Sequence, residues 1–87
     1  MLIEKEKIAS NVLLGDYVLI KPNDGNCTGH WNSTMRTYCN TIRKVIYKGE
    51  SSGRPYISFE LSNKDIGGNC SIYLDECVKL YTYKKEE

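Results

Sequence analysis

The chain has no long apolar run, almost no net charge, a single histidine and no close pair of cysteines. Its longest apolar stretch, Val12 to Leu14 and then Tyr17 to Ile20, is broken by Gly15 and Asp16. A helix that crosses a bilayer needs about 20 such residues in a row, so no membrane partner is expected. Glu4, Lys5, Glu6 and Lys7 stand where a secretory signal needs unbroken apolar sequence, and the expected location is the cytoplasm of whatever cell makes the protein. Twelve Lys and Arg against eleven Asp and Glu leave a net charge of +1. That is far from the basic excess of a phosphate-tracking surface.

Other absences bear on chemistry. Cys27, Cys39, Cys70 and Cys77 show no C-x-x-C spacing, and thiols in a reducing compartment seldom form lasting disulfides. Gly67-Gly68 lacks the helix and lysine that a phosphate-binding glycine loop requires. The one histidine, His30, has only Cys27 as a near thiol, in a loop with Asp24, Gly25 and Gly29 that fixes no nucleophile–base geometry. No enzyme is expected. The Asn-x-Ser/Thr triplets at Asn26, Asn32 and Asn69 carry meaning only in a secreted chain and are read as chance.

What is present suits one small domain. With 87 residues, 40% hydrophobic and 26% charged, the chain is too apolar for disorder and too short for a second core. No repeat, low-complexity block or linker divides it. The expected organisation is an N-terminal arm over 1–11, a β domain over 12–83 and a charged tail over 84–87.

Strand signals recur in order. Asp16 to Lys21 is compact and β-prone and is stopped by Pro22, Asn23, Asp24 and Gly25. Thr41 to Lys48 follows, with Ile42 and Ile46 on one face and Arg43, Val45 and Tyr47 on the other. Gly49 to Gly53 reads as a five-residue hairpin loop. Ile57, Phe59 and Leu61 then alternate with Tyr56, Ser58 and Glu60 and should be core. Cys70 to Tyr73 is a short strand, and Val78 to Tyr83 is the last, with Val78 and Leu80 facing inward.

Between the first two strands, Trp31, Met35 and Tyr38 have helical spacing and share one face. So short a helix must be held by packing on the sheet. Asn40 suits the left-handed conformation that ends a helix. These elements predict a mainly β fold: a small five-stranded barrel of the Src-homology-3-like kind, with one short helical turn in its first long loop.

Three segments, Gly15-Asp16-Tyr17-Val18-Leu19-Ile20, Trp31 to Tyr38 and Thr41 to Val45, carry a resemblance. They resemble a group of short phage and prophage proteins with a G-D-x-V-x-I, W-N-x-x-M-x-x-Y pattern and a closing aromatic strand. The resemblance covers roughly residues 12–80 and implies the barrel and a phage or prophage origin. Asn40 stands where those proteins usually have glycine, and Ile72-Tyr73 stand where they are rich in tryptophan.

Three constellations remain as candidates for function. Cys27-x-x-His30, with two of Cys39, Cys70 and Cys77, has ligand types that could hold zinc, although the later cysteines form no close pair. His30, Trp31, Arg36 and Tyr73 form a candidate partner-binding set, because Trp and Arg are enriched in binding hot spots. In that set Arg36 touches the partner, and Trp31, on the face it shares with Met35 and Tyr38, anchors the turn. Tyr47, Tyr56, Tyr81 and Tyr83 with Lys44, Lys48, Arg54, Lys79 and Lys84 could stack bases and meet phosphates. The expected function is a non-enzymatic interaction module that binds, and could inhibit, a host or phage protein. A nucleic-acid binder, a nucleotide-sequestering protein and a minor phage structural component are the alternatives. Unpaired edge strands would permit a homodimer.

Overall fold

The computed structural model describes residues 1–23, 31, 33–60 and 68–85. Among them are six antiparallel strands: β1 (Leu2–Lys5), β2 (Tyr17–Ile20), β3 (Ile42–Ser51), β4 (Arg54–Glu60), β5 (Asn69–Tyr73) and β6 (Cys77–Tyr83). They form one sheet in the order β1-β6-β2-β3-β4-β5. A short helix, α1 (Ser33–Thr37), lies between β2 and β3, and 3₁₀ turns occupy Ala9–Asn11 and Leu74–Glu76. The fold is mainly β, as expected. It is not a closed five-stranded barrel: there are six strands, and among the described residues β1 and β5 are the two edges.

The sixth strand comes from the N-terminal arm. Leu2 to Lys5 pair with Tyr83 to Leu80, and the two ends are clasped because the Met1 ammonium donates to the Lys84 carbonyl while the Lys84 N–H donates to Met1, both at 2.8 Å. Lys5 adds a side-chain tie, its ammonium lying 2.6 Å from the buried carboxylate of Asp16. That carboxylate also accepts the Leu13 N–H at 2.8 Å, which closes the turn before β2. Burial pushes the Asp16 carboxyl up, but hydrogen bonds from Lys5, Leu13 and Thr82 hold it below its ordinary value of 3.8.

The core is built from Val12, Val18, Ile20, Val45, Ile57, Phe59, Ile72, Leu74 and Leu80, with Trp31, Met35 and Tyr38 closing over it. Ile57 and Phe59 are buried as expected; Leu61 lies outside the described residues. The Phe59 ring meets Tyr38 edge-on at 5.4 Å, a geometry aromatic pairs favour. Asn40 has φ 66° and takes the left-handed position just beyond α1.

Two bulges alter which residues face inward. In β3, Val45 pairs with Phe59 but Tyr47 pairs with Ser58, so Ile46 is an extra residue. Arg43 and Val45 therefore face the core side, Tyr47 turns to the opposite face, and Ile42 is exposed. The same bulge divides β3 into a half paired with β2 and a half paired with β4. In β6, Leu19 pairs with Lys79 and Ile20 with Cys77, leaving Val78 as the extra residue. Val78, expected inside, is exposed, and Cys77 takes the buried place. The loop expected at Gly49 to Gly53 is also shorter: β3 and β4 stay paired out to Ser51 and Arg54. Ser52 (φ 51°) and Gly53 (φ 80°) make the whole turn, and two left-handed residues match the twist of a tight hairpin.

Candidate interaction surface

The helical turn and the final 3₁₀ turn are joined through Glu76. Its carboxylate accepts the Trp31 indole N–H and, at 2.9 Å, the backbone N–H of Tyr73. Lys21 lies 3.8 Å from the same carboxylate and 5.0 Å above the indole. Trp31 is 4% exposed, so it works as an internal anchor and offers almost no surface to a partner. Arg36 is exposed in the last turn of α1. His30 lies outside the described residues. Trp31 and Tyr73 are thus brought together through Glu76. Nothing in the sequence pattern marks Glu76, because Tyr73 stands where the Ser or Thr of a helix-capping motif would signal such a carboxylate.

Tyr73 belongs to a different surface. On the outer side of β3, β4 and β5, Gly49, Tyr56 and Tyr73 stand in one cross-strand row, and Tyr47, Ser58 and Ser71 in the next. The Ser58 and Ser71 hydroxyls are 2.6 Å apart, which satisfies the buried Ser58. Tyr47 is 54% exposed, and its ring centroid is 6.2 Å from that of Tyr56. Tyr56 lies across β3, where glycine leaves room: a β-carbon at position 49 would come within 2.7 Å of the Tyr56 hydroxyl. Burial and then the neighbouring Tyr47 push the Tyr56 phenol above its ordinary value, so it stays neutral at physiological pH.

The Arg54 guanidinium stacks 3.6 Å over the Tyr73 ring and donates to both Asp75 carboxylate oxygens at 2.8 and 3.0 Å. Beside it a groove of about 540 Å³ is lined by Glu50, Ser51, Tyr56, Ser71, Ile72 and Tyr73. Glu50 and Tyr56 also line a second cavity of about 300 Å³, which reaches the apolar side chains of Val12, Ile57 and Leu74.

The tyrosines and bases considered for nucleic acid do not share one surface. Tyr47, Tyr56 and Arg54 belong to the β3–β5 face. Tyr81 instead stands in a row with Glu4, Tyr17 and Lys44, on the outer side of β1, β6, β2 and the first half of β3. Lys79 is 3.4 Å from Glu4. Lys48 faces the core side opposite Ile57, and its ammonium donates to the Val12 carbonyl at 2.6 Å.

Of the groups considered for zinc, Cys27 and His30 lie outside the described residues. Cys70 and Cys77 are free, buried thiols, and Cys39 packs half-buried against the core. Burial pushes the Cys77 thiol up to about 12, so it is protonated at neutral pH and serves as an apolar packing group. Among the described residues no three His, Cys, Asp or Glu side chains gather as a metal site. No helix among them is long and apolar enough to cross a membrane.

No family model, curated protein or solved structure matches the chain.

Proposed function

We propose that this protein is a non-enzymatic interaction module that docks a partner protein on the outer face of β3, β4 and β5. The observation that carries the reading is the cluster of tyrosines in two adjacent cross-strand rows there. Tyr47, Tyr56 and Tyr73 project from paired strands on the side away from the core, beside an open groove. Tyrosine combines a large apolar ring with few rotatable bonds, so it gives contact area with little loss of side-chain freedom. A sheet face held by backbone pairing is also preorganised, and docking then orders little else.

The phage and prophage resemblance supports a phage-encoded protein acting in the host cytoplasm, with inhibition of a host protein as its use. The Src-homology-3-like relation belongs to the same proposal. Its support is the strand order β2 to β6, with a short helix between the first two and a 3₁₀ turn before the last. A second reading, nucleic-acid binding, is favoured by the row of Tyr17 and Tyr81 with Lys44 on the other outer face.

Affinity purification from host cells tests the proposal, using wild type, a Tyr47→Ser/Tyr56→Ser double variant and Arg36→Ala, with copurified proteins and nucleic acids identified. The expected result is one protein retained by wild type and by Arg36→Ala and lost by the double variant. Recovery of nucleic acid instead, or loss of the partner only with Arg36→Ala, would contradict it.

A further inference from the structure

We propose that β5 pairs edge to edge with β5 of a second copy of this chain, antiparallel and centred on Cys70, so that two molecules share one continuous sheet about a two-fold axis. This pairing uses the edge of the sheet and not its tyrosine face, and it stands or falls apart from the docking proposed above.

Three observations fix which way β5 presents its backbone. The Tyr73 N–H turns away from Tyr56, its cross-strand neighbour, to the Glu76 carboxylate at 2.9 Å. The Ser58 and Ser71 hydroxyls approach to 2.6 Å, in keeping with the closer side chains of a pair that exchanges no backbone bonds. The tight turn at Ser52 and Gly53 makes Ser51 and Arg54 a hydrogen-bonded pair. Alternate residues of β4, Tyr56 and Ser58 among them, then bond to β3, and Ile57 and Phe59 bond to β5. Ile72 and Cys70 therefore turn their N–H and C=O groups toward β4, whereas Asn69, Ser71 and Tyr73 turn theirs outward. Tyr73 is engaged within the chain, its N–H by Glu76 and its carbonyl by the Cys77 thiol at 3.9 Å. The outward groups of Asn69 and Ser71 have no partner among the described residues.

That pattern is its own complement. Turned about Cys70, Asn69 of each copy meets Ser71 of the other, and each pair exchanges two bonds. Four backbone hydrogen bonds form and every outward group is used. Gly68 falls opposite Ile72 of the other copy, and nothing lies within 4 Å of the place where its β-carbon would stand. The edge also lacks the features that keep strands apart. Asn69 to Tyr73 hold no charge and no proline, and they pair with β4 without a bulge. β1, the other edge, carries Glu4 and Lys5 among its four residues. A net charge of +1 adds little repulsion between copies.

The test measures the mass of wild-type protein by light scattering over a range of concentrations. A mixture of isotope-labelled and unlabelled copies is then examined by filtered NOE spectroscopy at the highest one. An about twofold rise in apparent mass that reverses on dilution is expected, because so short an edge makes a small interface. The NOE expected between copies joins the Cα protons of the two Cys70 residues, which face each other in a non-hydrogen-bonded pair. Asn69→Pro removes an outward N–H at the first residue of an edge strand, where proline is tolerated. It is expected to remain monomeric with unchanged Trp31 emission. A single mass at all concentrations, contacts between copies only through β1 or the Tyr47 face, or a folded Asn69→Pro that dimerises like wild type would overturn the inference. A chain that is monomeric alone and takes another protein's strand on β5 would overturn the second copy as occupant. The NOE needs no variant, so it decides the question where Asn69→Pro fails to fold.

Discussion

Gly49 stands directly opposite Tyr56 across β3 and β4, and the Tyr56 ring occupies the space that any side chain at position 49 would need. The position of this tyrosine, and with it the wall between the two cavities, depends on a missing β-carbon.

Gly49→Ala should therefore move the ring without unfolding the sheet. The crowded atoms belong to the free end of the Tyr56 side chain, so the ring can swing aside. Alanine also regains about 0.5–1 kcal/mol of backbone entropy in a strand, which offsets much of the lost cross-strand contact. Chemical denaturation should place the variant within about 1 kcal/mol of wild type, while the Tyr47 and Tyr56 ring resonances shift and the partner is lost. A variant that keeps the partner would separate Tyr56 from binding.

The Lys5–Asp16 contact predicts how the fold responds to acid. Asp16 is held below its ordinary pKa in the folded chain, chiefly against the opposing effect of its own burial. Its contribution to stability is complete above the unfolded value near 3.8 and is lost as pH falls through the lower folded value. Asp16→Asn should cost about 2 kcal/mol at pH 7, because Lys5 is left without its carboxylate. It should also flatten the stability profile between about pH 5 and 2. Urea titrations across that range check both effects; an unchanged slope would show that Asp16 is not linked to folding.

Trp31 and Glu76 predict a spectroscopic signature. An indole that is 4% exposed and donates to a carboxylate should emit well to the blue of free tryptophan and resist iodide quenching. Glu76→Ala removes the acceptor shared by Trp31 and the Tyr73 N–H, and it should cost about 2–3 kcal/mol. Glu76→Gln, which can still accept, should cost about 1 kcal/mol. Red-shifted, quenchable emission from native protein would place Trp31 at the surface instead.

How much of this was legible in the sequence depended on whether local periodicity survived into the fold. Ile57 and Phe59 alternate cleanly along a strand without irregularity, and Trp31, Met35 and Tyr38 keep helical spacing, so both groups could be read as buried. Asn40 could be read because few residues tolerate its conformation. Val78 could not, since one extra residue in β6 reverses the alternation that period-two reasoning assumes. Ile46 had the same effect on Tyr47, which simple alternation puts on the face of Val45 and which the bulge turns to the opposite one. β1 was hidden because Leu2 and Ile3 sit among charges, and the strand exists through pairing with β6 at the far end of the chain. Glu50 read as part of a loop because the hairpin turn proved to be only Ser52 and Gly53.

The most direct test of the docking face is photocrosslinking in cells, with p-benzoylphenylalanine placed in turn at Tyr47, Arg36 and Tyr83. All three positions are exposed, and they report on the tyrosine face, the helical turn and the opposite end of the sheet. A covalent adduct to one protein from position 47, and none from 36 or 83, is the predicted result. Adducts from 36 or 83 with none from 47 would contradict it.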